Sequence, residues 1–415
     1  MTSSPRIDVA TASAYGRRRP VVGRLRKQAY RVARVLSMRP GPSKADYLHF
    51  HPRVRTAVEL ADLSARVNWY LPDRSLGVYV DGADHDIEPE SAPWMAPELV
   101  RDPGWAAEKP RGRVEHVYWR LGLKQSPSFL LRRNRAEVVD SSLSIISDSL
   151  GYAKLARRHE SPHSAHAASN LSRLLARRAP GGTALVMGTG PSARLVDPGD
   201  INADVRILCN SAVRDLDLIR AMRPDVIAFY DPVFHYGPSR YASQFRSDLL
   251  RALDECDAEV VTSYDWGHIL LSHHPELASR TTILAGGPRQ NWQIPHGDPA
   301  VTKQATNVLV SLLLPVAFAM ADTIQIAGCD GRKASEQYFW QHNRQIQYSD
   351  EMMQTVFATH PAFFSYVDYG EFYARHCREL EELLAFGEAN GKAIEPVTPS
   401  WIPALVKRGA PPVQE

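Results

Sequence analysis

The sequence predicts an α/β protein with a Rossmann-like, doubly wound and mostly parallel sheet, preceded by a mainly helical N-terminal extension. Three observations carry that expectation. Short β-rich apolar runs alternate with helical segments from residue 183 onward, the pattern of a parallel sheet with helices on both faces. The first run, "TALVM", breaks into the glycine loop Gly188-Thr189-Gly190-Pro191-Ser192. Small or polar hydrogen-bonding residues follow several strands, and doubly wound sheets bind ligands beyond their strands' carboxyl ends.

The elements follow in chain order. A helical stretch within 137–179 ends where Pro180 and two glycines stop it, and strand 183–187 leads into the glycine loop. Strand 204–210, helix 214–222 and strand 225–230 come next, then helix 239–256 and strand 258–263. A weaker strand at 281–286 precedes helix 307–321, the longest apolar stretch, which is broken by Pro315 and too short to cross a membrane. Strand 323–328 is followed by a segment dense in Tyr, Trp, His and Asn, then a long helix, 369–391, ending at Gly391. The organisation read from this is a basic arm, 1–40; an accessory region, 41–180; a catalytic domain, 181–402, with a lid at 332–368; and a loose tail, 403–415.

Composition narrows the function classes. The chain has 415 residues, 44% hydrophobic and 23% charged, with a net charge of +3, so nothing global calls for a nucleic-acid partner. Its four cysteines, Cys209, Cys256, Cys329 and Cys377, are widely spaced, which fits reduced thiols in a cytoplasmic protein and neither a disulfide scaffold nor a zinc site. Segment 16–40 is strongly basic with interspersed valines and leucines. It reads either as a solvated arm or as a peripheral helix on an anionic membrane face.

The strand ends supply the candidate site. A glycine loop lets backbone approach a phosphate or ribose. Here Ala193 stands where the dinucleotide fingerprint needs glycine, and no Gly-Lys-Ser/Thr follows for a Walker loop. The other strand ends offer Asn210-Ser211, Tyr230-Asp231-Pro232 and Gly328-Cys329-Asp330-Gly331-Arg332. No metal site is expected: Asp215-Leu216-Asp217 falls in a helix, Asp84-His85-Asp86 reads as a solvated turn outside the main sheet, and His268, His273 and His274 read as loop histidines. In the lid, Tyr338, Arg332 and Arg344 are a phenol and two cations. His360, before Pro361, suits a general base, whereas His376 lies inside an amphipathic helix.

The order of "VMGTGPSARLVD", "ILCNSAV", "IAFYDPVFHYGPSRY", "ATNVLVSLLLPVAFAMADTIQIAGCDG", "QYFW" and "EANGKAIEPVTPS" resembles the bacterial lipooligosaccharide sialyltransferases over residues 183–402. More loosely it is similar to the flagellin-associated proteins that handle nonulosonic acids. The resemblance implies a metal-independent, inverting glycosyltransferase with no cofactor, using a CMP-activated sugar acid (sialic acid/nonulosonate or Kdo type) as donor and a cell-surface glycan or glycolipid as acceptor. It maps the family's Gly-Asn-Gly-Pro-Ser loop onto Gly188–Ser192, with Thr189 in place of asparagine, and its Cys-Asn strand end onto Cys209-Asn210. Tyr-Asn-Pro falls on Tyr230-Asp231-Pro232, Thr-Ser-Gly near Thr306-Asn307, and the phosphate-holding tyrosine pair on Arg332 and Tyr338. Gly188, Thr189, Gly190, Ser192, Asn210, Asp231, Thr306, Asn307 and Asp330 are then the nucleotide-binding set. The catalytic set is His360, Tyr338, Arg332 and His376, with the base being His360 or His376. Such an enzyme would work in the cytoplasm, at the inner membrane face if the basic arm binds there. The alternatives are a nucleotide-dependent, pyrophosphokinase-like transferase on the same fold and a non-catalytic glycan- or nucleotide-binding protein.

Overall fold

A computed structural model describes residues 46–51, 68–69, 77–79, 96, 105–106, 111–112, 114–118, 136–138, 164–197, 202–287, 290–297, 300–332, 348, 352 and 369–413. The chain divides into two compact units: Met1–His159 with Pro238–Arg240 and Gln354–Val367, and Glu160–Gly237 with Tyr241–Met353 and Asp368–Glu415. The basic arm, 16–40, lies outside the described residues.

In the first unit, whose residues are mostly outside the described set, the described ones form a five-stranded sheet ordered β3-β2-β1-β4-β5. Its strands are β1 (Tyr47–His51), β2 (Gly77–Tyr79), β3 (Trp105–Ala106), β4 (Val114–Tyr118) and β5 (Ala136–Val138). All neighbours run parallel, β1 pairing with β4 from Tyr47↔Val114 to His51↔Tyr118. The strand-turn candidate that the sequence offers at 76–85 contains β2, whereas the other strands, of two to five residues, are too short to show a period of two.

The second unit bears out the doubly wound α/β expectation. Its eight-stranded sheet has the order β11-β10-β9-β8-β7-β6-β12-β13, with every pairing parallel. The strands are β6 (Ala179–Met187), β7 (Val205–Cys209), β8 (Val226–Ala228), β9 (Glu259–Ser263), β10 (Thr281–Gly287), β11 (Val301–Lys303), β12 (Ala321–Ala327) and β13 (Ala393–Pro396). Runs such as "VRILC" and "EVVTS" lack polar alternation because helices cover both faces. The helices are α1 (Ser164–Ala176), α2 (Leu216–Met222), α3 (Pro232–Tyr236), α4 (Arg240–Glu255), α5 (Tyr264–His273), α6 (Leu314–Met320), α7 (Tyr369–Ala389) and α8 (Pro403–Val406). Val186, Ile207, Phe318, Ile324 and Leu383 belong to the core between sheet and helices, each almost fully buried.

Pro315 explains a local irregularity. Lacking an N–H, it cannot bond the Ser311 carbonyl one turn back. Leu309–Leu313 accordingly widens into a π-turn before α6, and the Thr302 hydroxyl donates to that carbonyl at 3.1 Å. Such turns recur at functional sites.

Three boundaries differ from expectation. β6 starts at Ala179, so Pro180 and the two glycines sit inside an irregular strand start, where Gly181 takes φ +72 and its N–H donates to Asp322 at 2.7 Å. His268 and His273 belong to helix α5 rather than to a loop, and His274 caps its end. The tail is not loose: Ile402, Ala404 and Leu405 are buried, and Arg408 pairs with Glu381 at 2.7 Å and with Glu388 at 2.6 Å.

Candidate functional site

β6 has β7 on one flank and β12 on the other, so the chain leaves it in opposite directions along the sheet. Ligands of such folds bind beyond the carboxyl ends at this switch point. Here that is where Met187 and Ala327 end their strands.

The two loops beyond them are joined. Gly188 N–H donates to the Ala327 carbonyl at 2.8 Å, and Gly190 N–H to the Gly328 carbonyl at 2.9 Å. Ser192 N–H donates to Asp330 Oδ1 at 3.0 Å, and the Ser192 hydroxyl to Asp330 Oδ2 at 2.8 Å. The glycines are required by this approach. A β-carbon at 188 would lie 2.5 Å from the Gly328 oxygen, and one at 190 would lie 2.0 Å from Asp330 Oδ2. The amides of 188, 190 and 192, expected to approach a phosphate or ribose, are thus engaged within the protein, and the anion at the start of the 3-10 turn Pro191–Leu195 is the Asp330 carboxylate. Thr189 stands half-buried between them.

Residues outside the predicted set complete the joint. The Thr398 hydroxyl, 3.1 Å from that of Ser192, accepts from Gly328 N–H at 2.9 Å. Ser400 Oγ donates to the Cys329 carbonyl at 2.7 Å, and Trp401 N–H to the Asp330 carbonyl at 2.6 Å. Their sequence signal is the run of hydroxyls in "PVTPS". The run closes the last motif quoted above, but β13, which delivers it beside β12, is four residues long with a glutamate and a proline and gives no strand signal.

The next strand ends carry Asn210 and Tyr230-Asp231. Asn210 takes the left-handed backbone conformation, φ 50, which asparagine tolerates better than most residues. Its Oδ1 is buried and has no hydrogen-bond partner among the described residues. Tyr230 is held largely from solvent, and burial pushes its phenol up to about 12 despite a hydrogen bond with Ser311. The Asp231 carboxylate caps α3, Oδ1 accepting from Phe234 N–H at 3.0 Å. This is a structural use for the aspartate.

Thr306, Asn307 and His376 meet across the π-turn and α7. Asn307 Oδ1 accepts from Val310 N–H at 3.2 Å, which turns its Nδ2 toward His376 Nδ1 at 3.1 Å. Asn307 Nδ2 also lies 3.4 Å from Nε2, and the Thr306 hydroxyl 3.4 Å from Nδ1. Burial lowers the His376 pKa to about 4, which favours the neutral ring. In this arrangement His376 braces the 306–307 turn. Glu379 secures the same turn, accepting from Thr306 N–H at 2.8 Å.

Arg332 is buried, its guanidinium 4.8 Å from the centre of the Tyr373 ring, and its backbone N–H donates to the Tyr373 hydroxyl at 3.2 Å. Tyr373, which holds Arg332 here, is absent from the predicted set. Tyr338, Arg344 and His360 lie outside the described residues, as does Asp84-His85-Asp86. Asp215 caps α2 through Leu218 N–H at 3.0 Å, and Asp217 is an exposed partner of Arg220, so that acidic pair is helix-end chemistry.

No family model matches the chain, and no curated protein or solved structure is similar to it. Among the described residues no helix is long and apolar enough to cross a membrane.

Proposed function

We propose that the protein is an inverting, metal-independent glycosyltransferase that moves a sugar acid of the sialic acid/nonulosonate or Kdo type from a CMP donor to a cell-surface glycan acceptor. The observation that carries the reading is Asn210. A left-handed, non-glycine residue with an orphan buried acceptor at a strand end beside the switch point is a conformational cost that a bound ligand repays. The motif order of residues 183–402 supplies the donor class by resemblance.

In this reading the acceptor hydroxyl attacks the anomeric carbon as the bond to the CMP phosphate breaks, and CMP departs with the bonding electrons. His360 takes the hydroxyl proton, since burial holds the His376 ring at a pKa of about 4 against the 306–307 turn. Arg332, held by Tyr373, and Tyr338 meet the charge that develops on the phosphate. Tyr230 and the 306–307 turn line the neighbouring strand ends. The basic arm keeps the enzyme at the inner membrane face, where lipid-linked acceptors are exposed.

A thermal-shift series with CMP, CDP, UDP, GDP and ATP, each with Mg²⁺ and with EDTA, tests the reading. Stabilisation by cytidine nucleotides in EDTA supports it. Stabilisation by ATP or UDP that vanishes in EDTA removes it.

One observation favours a second reading, a nucleotide- or glycan-binding protein without turnover: the glycine-loop amides are engaged by Asp330 and its neighbours. Its mark is CMP binding with no release of CMP from any CMP-sugar.

A further inference from the structure

The glycine-loop donors at 188, 190 and 192 are engaged within the protein, and acceptor oxygens stand beside them. Asp330 stands at the switch point with two of its bonds supplied by Ser192. Each carboxylate oxygen still has acceptor capacity, because an ionised carboxylate offers about four lone-pair sites. Two strands away, with β6 between, Asn210 Oδ1 is an acceptor without a partner among the described residues. The amide donors that would favour a phosphate at this point are already used by Ala327, Gly328 and Asp330. A second anion placed against the Asp330 carboxylate would be repelled.

We infer that the switch point takes the ribose hydroxyls of the nucleotide, with Asp330 as the residue that reads the 2′,3′-diol, and that the phosphate lies away from the glycine loop. This rests on the nucleotide-donor reading above and deepens it: the loop after β12 specifies a ribonucleoside by accepting from its hydroxyls, and the loop between β6 and the 3-10 turn contributes no phosphate cradle. Acidic side chains near the switch point serve the same hydroxyls in dinucleotide-binding sheets, there from a different strand. Charge-assisted hydrogen bonds of this kind discriminate well, because the analogue without hydroxyls leaves a desolvated carboxylate unpaired.

The test uses the full-length wild-type protein with cytidine, CMP, 2′,3′-dideoxycytidine and inorganic phosphate, titrated calorimetrically in EDTA. Cytidine and CMP should both bind, dideoxycytidine should bind roughly ten- to hundredfold more weakly, and phosphate should not compete with cytidine. Asp330→Asn should weaken cytidine while leaving the dideoxy analogue nearly unchanged, a difference that general unfolding would not produce. Equal affinity for cytidine and dideoxycytidine, or competition by phosphate, overturns the inference and leaves the CMP-donor reading standing. Absence of binding by any cytidine compound, with diol-dependent binding of another ribonucleoside, removes the donor reading and upholds the role of Asp330. Absence of any nucleoside binding overturns both.

Discussion

Gly190 and Asp330 are so close that a β-carbon at residue 190 would lie 2.0 Å from the carboxylate oxygen Oδ2. The contact joins the carboxyl ends of β6 and β12 at the point where the sheet changes direction. Gly190→Ala is therefore expected to destabilise the fold by about 1–3 kcal/mol through overpacking, measured by urea unfolding. Adding Asp330→Ser should recover part of the loss. Equal stability of Gly190→Ala and wild type would mean that the two loops separate freely.

Asn210 divides stability from function. Asn210→Gly removes the left-handed backbone cost and the orphan acceptor together, so stability should hold or rise by up to about 1 kcal/mol while nucleotide affinity falls. Asn210→Ala should lose both affinity and stability. Paired denaturation and binding curves for the two variants check this. Loss of stability in Asn210→Gly would show that the side chain braces the fold.

Two buried histidines make stability pH-dependent. Burial depresses both His235 and His376 to about 4, from an ordinary value of 6.5. Between those values the unfolded chain binds protons that the folded chain refuses, so stability is intact above about pH 6.5 and is lost as pH falls toward 4. Each histidine contributes at most about 3 kcal/mol to that loss. Thermal midpoints from pH 7 to pH 4 should fall throughout this window, and His376→Gln should flatten the slope. A profile that stays level to pH 4 would contradict the buried neutral assignment.

Arg408 fastens the C-terminal turn to α7. It is nearly buried and bonds both Glu381 and Glu388, whereas its neighbour Lys407 is exposed and bonds Glu381 at 2.7 Å. Arg408→Ala should cost about 1–3 kcal/mol, and Lys407→Ala within about 0.5 kcal/mol of zero. Comparable effects from the two would mean that exposure does not separate them.

The eight-stranded unit was legible where a strand is buried on both faces, as in Val205–Cys209 and Val226–Ala228, because such strands read as apolar runs. Val301–Lys303 and Ala393–Pro396 were not, being three and four residues long with charged members. α5 was taken for a loop, since Gly267 interrupts its pattern; that glycine is there for packing, a β-carbon coming within 2.7 Å of Ile283. The glycine loop shows the deeper limit. Residues 188–192 announce that something approaches the backbone, but a ligand and a neighbouring loop demand the same glycines, and only the position of Asp330 tells which arrives. Asn210 was marked from sequence as a nucleotide contact, yet its strained backbone and orphan oxygen are properties of the folded chain.

The most direct measurement is calorimetric titration of CMP, in EDTA, into the full-length protein and into Asn210→Gly at matched folding. Saturable single-site binding by wild type, weakened roughly tenfold or more in a variant that unfolds at the same denaturant midpoint, is the expected result. No binding by wild type, or equal binding by both proteins, would contradict a nucleotide site built on Asn210.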